Sequence, residues 1–385
     1  MNQLQAADAK RLQQYMAKAV DRSKYFIGYP IAQDFDYSEL YPLLGLPLNN
    51  VGDPQVESTY DLNSRSIERE VVDFFAGLFH APVNNSWGYV TNGGSEGNLY
   101  GLYVARELYA NAVVYYSEAT HYSVQKNIHL LNMPSIVIRC QENGEMDYED
   151  LDQVIQLHRQ QPAIIVANIG TTMMEAKDSV PAIKATLQKS AIKNHYIHCD
   201  AALAGTYLAL FEQANDFDFS HGADSIAISG HKFIGSPIPC GVVIVKKNYR
   251  DRIGKTIPYI GTLDTTITGS RNGHSPVFLW HALKSMGREG LKQRAINSLK
   301  LAEYAVQQLN SIGCKAWKNE NAITVVFSAP SAALCQKWQL ATEGEWTHMI
   351  CMPGVTKEKV DEFINDMIEE IKLKTAFAEA LHKHY

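Results

Sequence analysis

Lys232 is the side chain whose setting most suggests chemistry. In SIAISGHKFIGSPIPCGVVIVK (225–246) it follows Ser229, Gly230 and His231 at the end of one apolar run, and a Gly/Pro-rich loop leads from it into a second run. Desolvation between buried strands favours the neutral amine, and a neutral amine can form a Schiff base with a carbonyl. A surface lysine on a turn is the plain alternative. The segments Ser229 to Lys232 and Ser123 to Lys126 also fit the S-x-x-K pattern of acyl-enzyme hydrolases, but the S-D-N and K-T-G tripeptides that accompany it do not occur in the chain.

Four further clusters fall at or just beyond the ends of apolar runs. In HYIHCDAALAG (195–205), Asp200 ends a run and is followed by two alanines. A carboxylate at the carboxyl end of a parallel strand lies where doubly wound sheets bind ligands. Beside a pyridine ring it would keep the ring nitrogen protonated, and small alanines would let a flat ring approach; capping the next helix is the simpler role. A zinc reading of His195, His198 and Cys199 fails on alternation, because His198 and Cys199 point to opposite faces of a strand. YVTNGGSEGNLYGLYVARELY (89–109) runs from strand to glycine turn to helix, an anion cup made by backbone amides. It matches neither nucleotide-binding glycine pattern, and an ordinary strand-to-helix turn is the alternative. His121 in SEATHYSVQKN could stack on a ring or cap a helix. Thr171 and Thr172 in ANIGTTMMEAKD could reach a ligand or cap a loop.

These residues need a scaffold, and the chain is long enough to build one. Its 385 residues carry 35 Lys+Arg against 41 Asp+Glu, a formal charge of −6, with 46% hydrophobic residues. That balance excludes a protein that binds nucleic acid through a broadly basic surface. No apolar run approaches the roughly 20 residues of a membrane span. The six cysteines contain no C-x-x-C pair and the start of the chain is amphipathic rather than a secretory leader, so a cytoplasmic protein with reduced thiols is expected.

Seven strand-length runs alternate mostly with helical stretches: WGYV (87–90), AVVYY (112–116), SIVIR (135–139), AIIVAN (163–168), YIHC (196–199), SIAIS (225–229) and GVVIVK (241–246). This rhythm predicts an α/β fold with a largely parallel sheet covered on both faces. Before it, residues 1–60 read as a helix to about residue 22 and a Pro/Gly/Tyr-rich arm. Residues 61–275 form the large unit, whose first helix has Ser64 or Ser66 as its cap, and residues 276–385 a small α+β unit with strands at 322–328 and 347–352.

Taken in order, TNGGSEGN, H-x-S-x-x-K from His121, GTT at 170–172, HCDAA ending at Ala202 and SGHK ending at Lys232 resemble the pyridoxal-phosphate-dependent group II amino-acid decarboxylases. The resemblance spans the chain from the arm near residue 25 to the closing helix, and it implies the type I, aspartate-aminotransferase-like fold. The segments SGHKFIGSPIPCGV, NNVGDPQVESTYDLNSR, NIGTTMMEAKD and GSRNGHSP look most like the bacterial histidine decarboxylases of that family. Plant serine decarboxylases share SGHKF, PxPCGV and GSRNGH. A serine or other amino-acid decarboxylase is therefore the alternative, followed by an aminotransferase or desulfurase and by a silent binding module on the same fold.

Carried onto this chain, the resemblance makes Lys232 the lysine bound to pyridoxal 5'-phosphate, Asp200 the partner of the pyridine nitrogen and His121 the ring stacked on the cofactor. It puts Ala202 against the opposite face and gives the phosphate to Gly93, Gly94, Ser95, Ser229 and His231. Thr172 falls near the cofactor hydroxyl or the substrate carboxylate. Loss of CO2 from the substrate then leaves electrons delocalised toward the protonated ring, and Lys232 or a loop tyrosine, Tyr259 in GKTIPYIGTLDTTITGSRNG (254–273), returns a proton to Cα. The resemblance implies no metal, an amino-acid substrate, and a homodimer or higher homo-oligomer in which the arm is an interface element.

Overall fold

The computed structural model describes residues 4–258 and 261–382. Every apolar run of the βα region becomes a strand: β1 (Ser86–Thr91), β2 (Val113–Ser117), β3 (Ser135–Ile138), β4 (Ala163–Asn168), β5 (His195–Asp200), β6 (Ser225–Ser229) and β7 (Gly241–Lys246). They form one seven-stranded sheet in the order β1-β7-β6-β5-β4-β2-β3. All pairings are parallel except those of β7, which runs antiparallel to both β1 and β6. The tight loop after Lys232 explains the exception: a strand that returns directly next to its predecessor must run the other way. In β2, β4 and β6 every residue is buried, which is what helices on both faces produce.

The helices are α1 (Ala6–Ser23), α2 (Arg65–Leu78), α3 (Gly94–Leu108), α4 (Tyr122–Leu130), α5 (Tyr148–Leu157), α6 (Val180–Lys189), the short α7 (Gly205–Leu208) and α8 (Lys247–Arg250), α9 (His274–Ser311), α10 (Ala332–Trp338) and α11 (Lys357–His382). Helix α9 merges the two helices read after residue 275 and breaks at Gly287. The C-terminal strands pair antiparallel as β10 (Ala316–Trp317), β11 (Thr324–Ser328), β13 (Trp346–Ile350) and β12 (Ala341–Glu343), in that order across a four-stranded sheet. β10 and β12 are two and three residues long, too short to leave a period in the sequence. For the same reason the segment read as a loop at 254–273 contains a small hairpin, β8 (Lys255–Ile257) with β9 (Thr262–Asp264). Among the described residues no helix is long and apolar enough to cross a membrane.

A buried polar clasp fixes the arm and the 265–273 segment to the edge of the large sheet. Glu68 of α2 and Arg271 form an ion pair that is almost fully excluded from water. Glu68 also accepts from Asn50 Nδ2 at 2.8 Å and from the Val90 amide of β1 at 2.8 Å, and Arg271 donates to the Gly52 carbonyl at 3.1 Å. Ser64 precedes α2 as expected, but its hydroxyl donates to the Gly273 carbonyl at 2.6 Å instead of capping the helix. Next to this, Asp53 accepts from Trp87 Nε1 at 3.2 Å and Thr265 Oγ1 at 2.8 Å. The motifs NNVGD and GSRNGH thus meet each other.

Removing one member of such a pair strands the other charge in a dry site, which costs about 3–5 kcal/mol, whereas replacing both with apolar residues costs far less. Glu68→Gln is therefore expected to lower the urea unfolding midpoint sharply, and Glu68→Met with Arg271→Met to recover much of it. Equal losses in the single and double variants would contradict this account of the clasp.

Candidate active site

The carboxyl ends of β1, β5 and β6 converge, as they must in an open parallel sheet, and the candidate residues stand there. At the end of β5, Asp200 is buried; its Oδ2 accepts from Asn98 Nδ2 at 2.7 Å and its Oδ1 from the Ala202 amide at 3.3 Å. The Ala202 carbonyl in turn accepts from the Ser229 amide at 3.1 Å, which ties the β5 and β6 ends together.

The turn between β1 and α3 closes on the same place. A Cβ added to Gly94 would lie 2.5 Å from Ser229 Oγ and 3.4 Å from Ala202 Cβ, so only glycine allows the helix start to approach so closely. No side chain caps α3, whose first amides precede its first internal hydrogen bond and remain available to an anion. Glu96 braces the turn from behind, accepting from Tyr89 Oη at 2.9 Å and from Asn92 Nδ2 at 2.6 Å. Ser95 is exposed; its carbonyl accepts from Asn127 Nδ2 at 2.8 Å.

Lys232 follows β6 as the spacing suggests. Burial pushes its ammonium pKa below the usual lysine range, against the attraction of Asp200 and then Glu175. The same Asp200 and Lys232 act electrostatically on His121, whose pKa is lowered chiefly by burial. Lys232, Asp200 and His121 therefore share one electrostatic neighbourhood. His121 Nδ1 accepts from the Ser123 amide at 3.3 Å as the cap of α4, which leaves the ring proton on Nε2. His231 spends Nδ1 on the Cys240 backbone, 2.8 Å from its carbonyl oxygen.

The remaining candidates differ in their surroundings. Thr171 is buried and its hydroxyl accepts from the Ala176 amide at 2.9 Å, the loop-capping role, while Thr172 beside it is exposed. Tyr259 lies outside the described residues. His198 and Cys199 do point apart, His198 to Asn98 and Cys199 to the Phe217 carbonyl. Two residues escaped the sequence reading. Asn98 lies one helical turn beyond Gly94, a position no glycine pattern marks. Glu175 is buried and acts electrostatically on Lys232, accepting from Tyr207 Oη and from the amides of Ile323 and Thr324 at 3.2 and 2.7 Å.

This donor set fits pyridoxal phosphate. It offers an amine of lowered pKa for the aldehyde, a buried carboxylate for the ring nitrogen, and a glycine cradle with an uncapped helix start for the phosphate.

Comparison with known proteins points the same way. The pyridoxal-dependent decarboxylase conserved domain matches residues 59–329. Over 361 residues the chain is 48% identical to a histidine decarboxylase of Mesorhizobium japonicum, covering 94% of this chain and 98% of that one. It is 45% identical over 372 residues to a histidine decarboxylase of Morganella morganii, covering 96% and 98%. The L-methionine decarboxylase of Streptomyces sp. 590, solved in its internal aldimine form, superposes with a TM-score of 0.86 at 26% identity over 95% of this chain and 96% of that one. The glutamate decarboxylase of Lactobacillus brevis shares the fold at 17% identity, with a TM-score of 0.82 over 97% and 93% of the two chains. With a half-buried lysine, a strand-end aspartate and a glycine cradle at the same strand ends, and with this likeness running nearly end to end, the chain belongs to the pyridoxal-dependent decarboxylase family.

Proposed function

We propose that the protein converts L-histidine to histamine and CO2, with Lys232, Asp200 and His121 as the residues that meet the cofactor and substrate. The observation that carries this reading is that Lys232 lies in the electrostatic field of the buried Asp200, joined to 45–48% identity over nearly the whole chain with two histidine decarboxylases. The bound cofactor supplies an electron sink conjugated to the substrate Cα.

The residues of the chain do the rest. The lowered pKa of Lys232 makes its amine easier to deprotonate for attack on a carbonyl carbon. The charge of Asp200 holds a proton on the ring nitrogen and so matters more as negative charge develops than in the ground state. His121, neutral through burial and fixed by its cap bond, offers Nε2–H and a ring face to the substrate side. Gly93, Gly94, Ser95, Ser229 and His231 would hold the phosphate, Ala202 would pack against the ring on the side opposite His121, and Thr172 would meet the cofactor hydroxyl or the substrate carboxylate. Proton return to Cα falls to Tyr259 or to Lys232 itself.

In this reading residues 1–60 are the arm, 61–275 the cofactor domain and 276–385 the small domain, and the enzyme works in the cytoplasm as a homodimer. Support for the dimer comes from α1, which buries none of its residues and exposes Leu12, Tyr15, Met16 and Val20. A lone helix of this length is marginal in water without a covering surface. All six cysteines are free thiols, which suits a reducing compartment.

Incubation with a panel of L-amino acids should yield CO2 and an amine chiefly from histidine. Dominant ethanolamine from serine would move the substrate assignment, and a keto acid would overturn decarboxylation. In the same assay Tyr259→Phe is expected to lower kcat by roughly 10²-fold with little change in KM; normal histamine formation would return the proton step to Lys232. Sedimentation should report twice the chain mass, and a monomer with full activity would remove α1 and the arm from the interface role.

A further inference from the structure

Behind Asp200, away from the strand end, runs a chain of hydrogen bonds that no step above uses. Ser225 Oγ is 2.7 Å from His198 Nδ1, His198 Nε2 is 3.0 Å from Asn98 Oδ1, and Asn98 Nδ2 is 2.7 Å from Asp200 Oδ2. Ser225 and His198 are 0% exposed, Asn98 1% and Asp200 6%, so no water competes for these groups.

The direction of every bond is forced. A carboxylate only accepts, so Asn98 turns its amide N–H to Asp200 and its Oδ1 to His198. Oδ1 needs a donor, which places the imidazole proton on Nε2. Burial drives the His198 pKa down to about 4, so the ring is neutral and Nδ1 must accept, leaving Ser225 Oγ–H as its donor. Three donors therefore point one way along the chain and end on Asp200.

The fold makes room for this at a cost. A Cβ on Gly101 would lie 2.3 Å from His198 Nδ1 and 2.5 Å from its Cε1, so α3 carries a glycine in its interior where the ring lies against it. Glycine in a helix interior is less stable than alanine, so the ring is accommodated against helix propensity.

We propose that Ser225, His198 and Asn98 form a positioning relay that holds the Asp200 carboxylate in one orientation toward the cofactor site. They are positioning residues, acting on the cofactor only through Asp200. The relay rests on the reading that Asp200 serves the cofactor nitrogen, and it makes His198 and Asn98 matter to cofactor electronics although neither meets substrate. A neutral donor chain also suits this place better than a cation, because it orients the carboxylate without offering a competing counter-charge.

The test uses the full-length holoenzyme and its cofactor-free form. His198→Leu removes the Nε2 donor while keeping comparable bulk; His198→Gln presents an amide N–H where Nε2 was. Pyridoxal phosphate affinity is read by fluorescence titration of the cofactor-free protein, and kcat and KM are read for histidine. Because losing the Nε2 donor frees the Asn98 amide that meets the Asp200 carboxylate, His198→Leu is expected to weaken cofactor binding and lower kcat by roughly tenfold, with KM within about twofold. His198→Gln is expected to restore both. Wild-type values in His198→Leu would overturn the relay, and so would equal damage in the Leu and Gln variants, which marks a packing role. If His198→Leu does not accumulate folded, Ser225→Ala decides: a several-fold loss of cofactor affinity supports the relay and an unchanged affinity overturns it. Cofactor binding is read independently of substrate, so failure of wild type to bind pyridoxal phosphate strikes the site reading, whereas normal wild-type binding with indifferent variants strikes the relay alone.

Discussion

Holding a half-buried lysine amine in the field of a buried aspartate carboxylate is the constraint on which the rest of this structure depends. Burial alone drives the Lys232 ammonium toward neutrality, and Asp200 pulls the other way. The balance works only if the two side chains cannot drift, since a buried charge without partners is expensive. Both are fixed at strand ends: Asp200 by β5 and Asn98, Lys232 by β6 and the Cys240 return loop. The antiparallel β7 makes that return possible and is the one break in an otherwise parallel sheet.

Farther out, polar groups join separate elements rather than stabilising any single one. The Glu68–Arg271 pair ties arm, α2, β1 and the 265–273 segment. Glu175 receives the Ile323 and Thr324 amides at the start of β11 and so couples the two sheets. His348 of β13 places Nδ1 3.0 Å from the Met173 carbonyl and Nε2 3.1 Å from the Gly28 carbonyl, joining the small sheet to the 170–178 loop and to the arm. Several segments that carried the family resemblance turn out to be these joints.

How much was legible follows from what each residue depends on. The seven strands of the large sheet were readable because burial on both faces makes their runs continuously apolar, AIIVAN most clearly. Lys232 and Asp200 were readable because a charged residue ending such a run is costly without a use. Asn98, Glu175 and the Glu68–Arg271 pair were not, since their partners lie 102, 149 and 203 residues away in sequence and only the tertiary fold brings them together. The hairpin at 255–264 was missed because three-residue strands leave no period, and Ser64 was misjudged in role because Gly273, its actual partner, is 209 residues distant.

Lys232 as the cofactor-bearing lysine is the centre of the proposed chemistry. Borohydride reduction of the holoenzyme followed by peptide mapping measures this most directly. A single pyridoxyl adduct on Lys232, absent from Lys232→Ala, is the predicted result; an adduct on another lysine, or none on Lys232 in protein that retains bound pyridoxal phosphate, would contradict it.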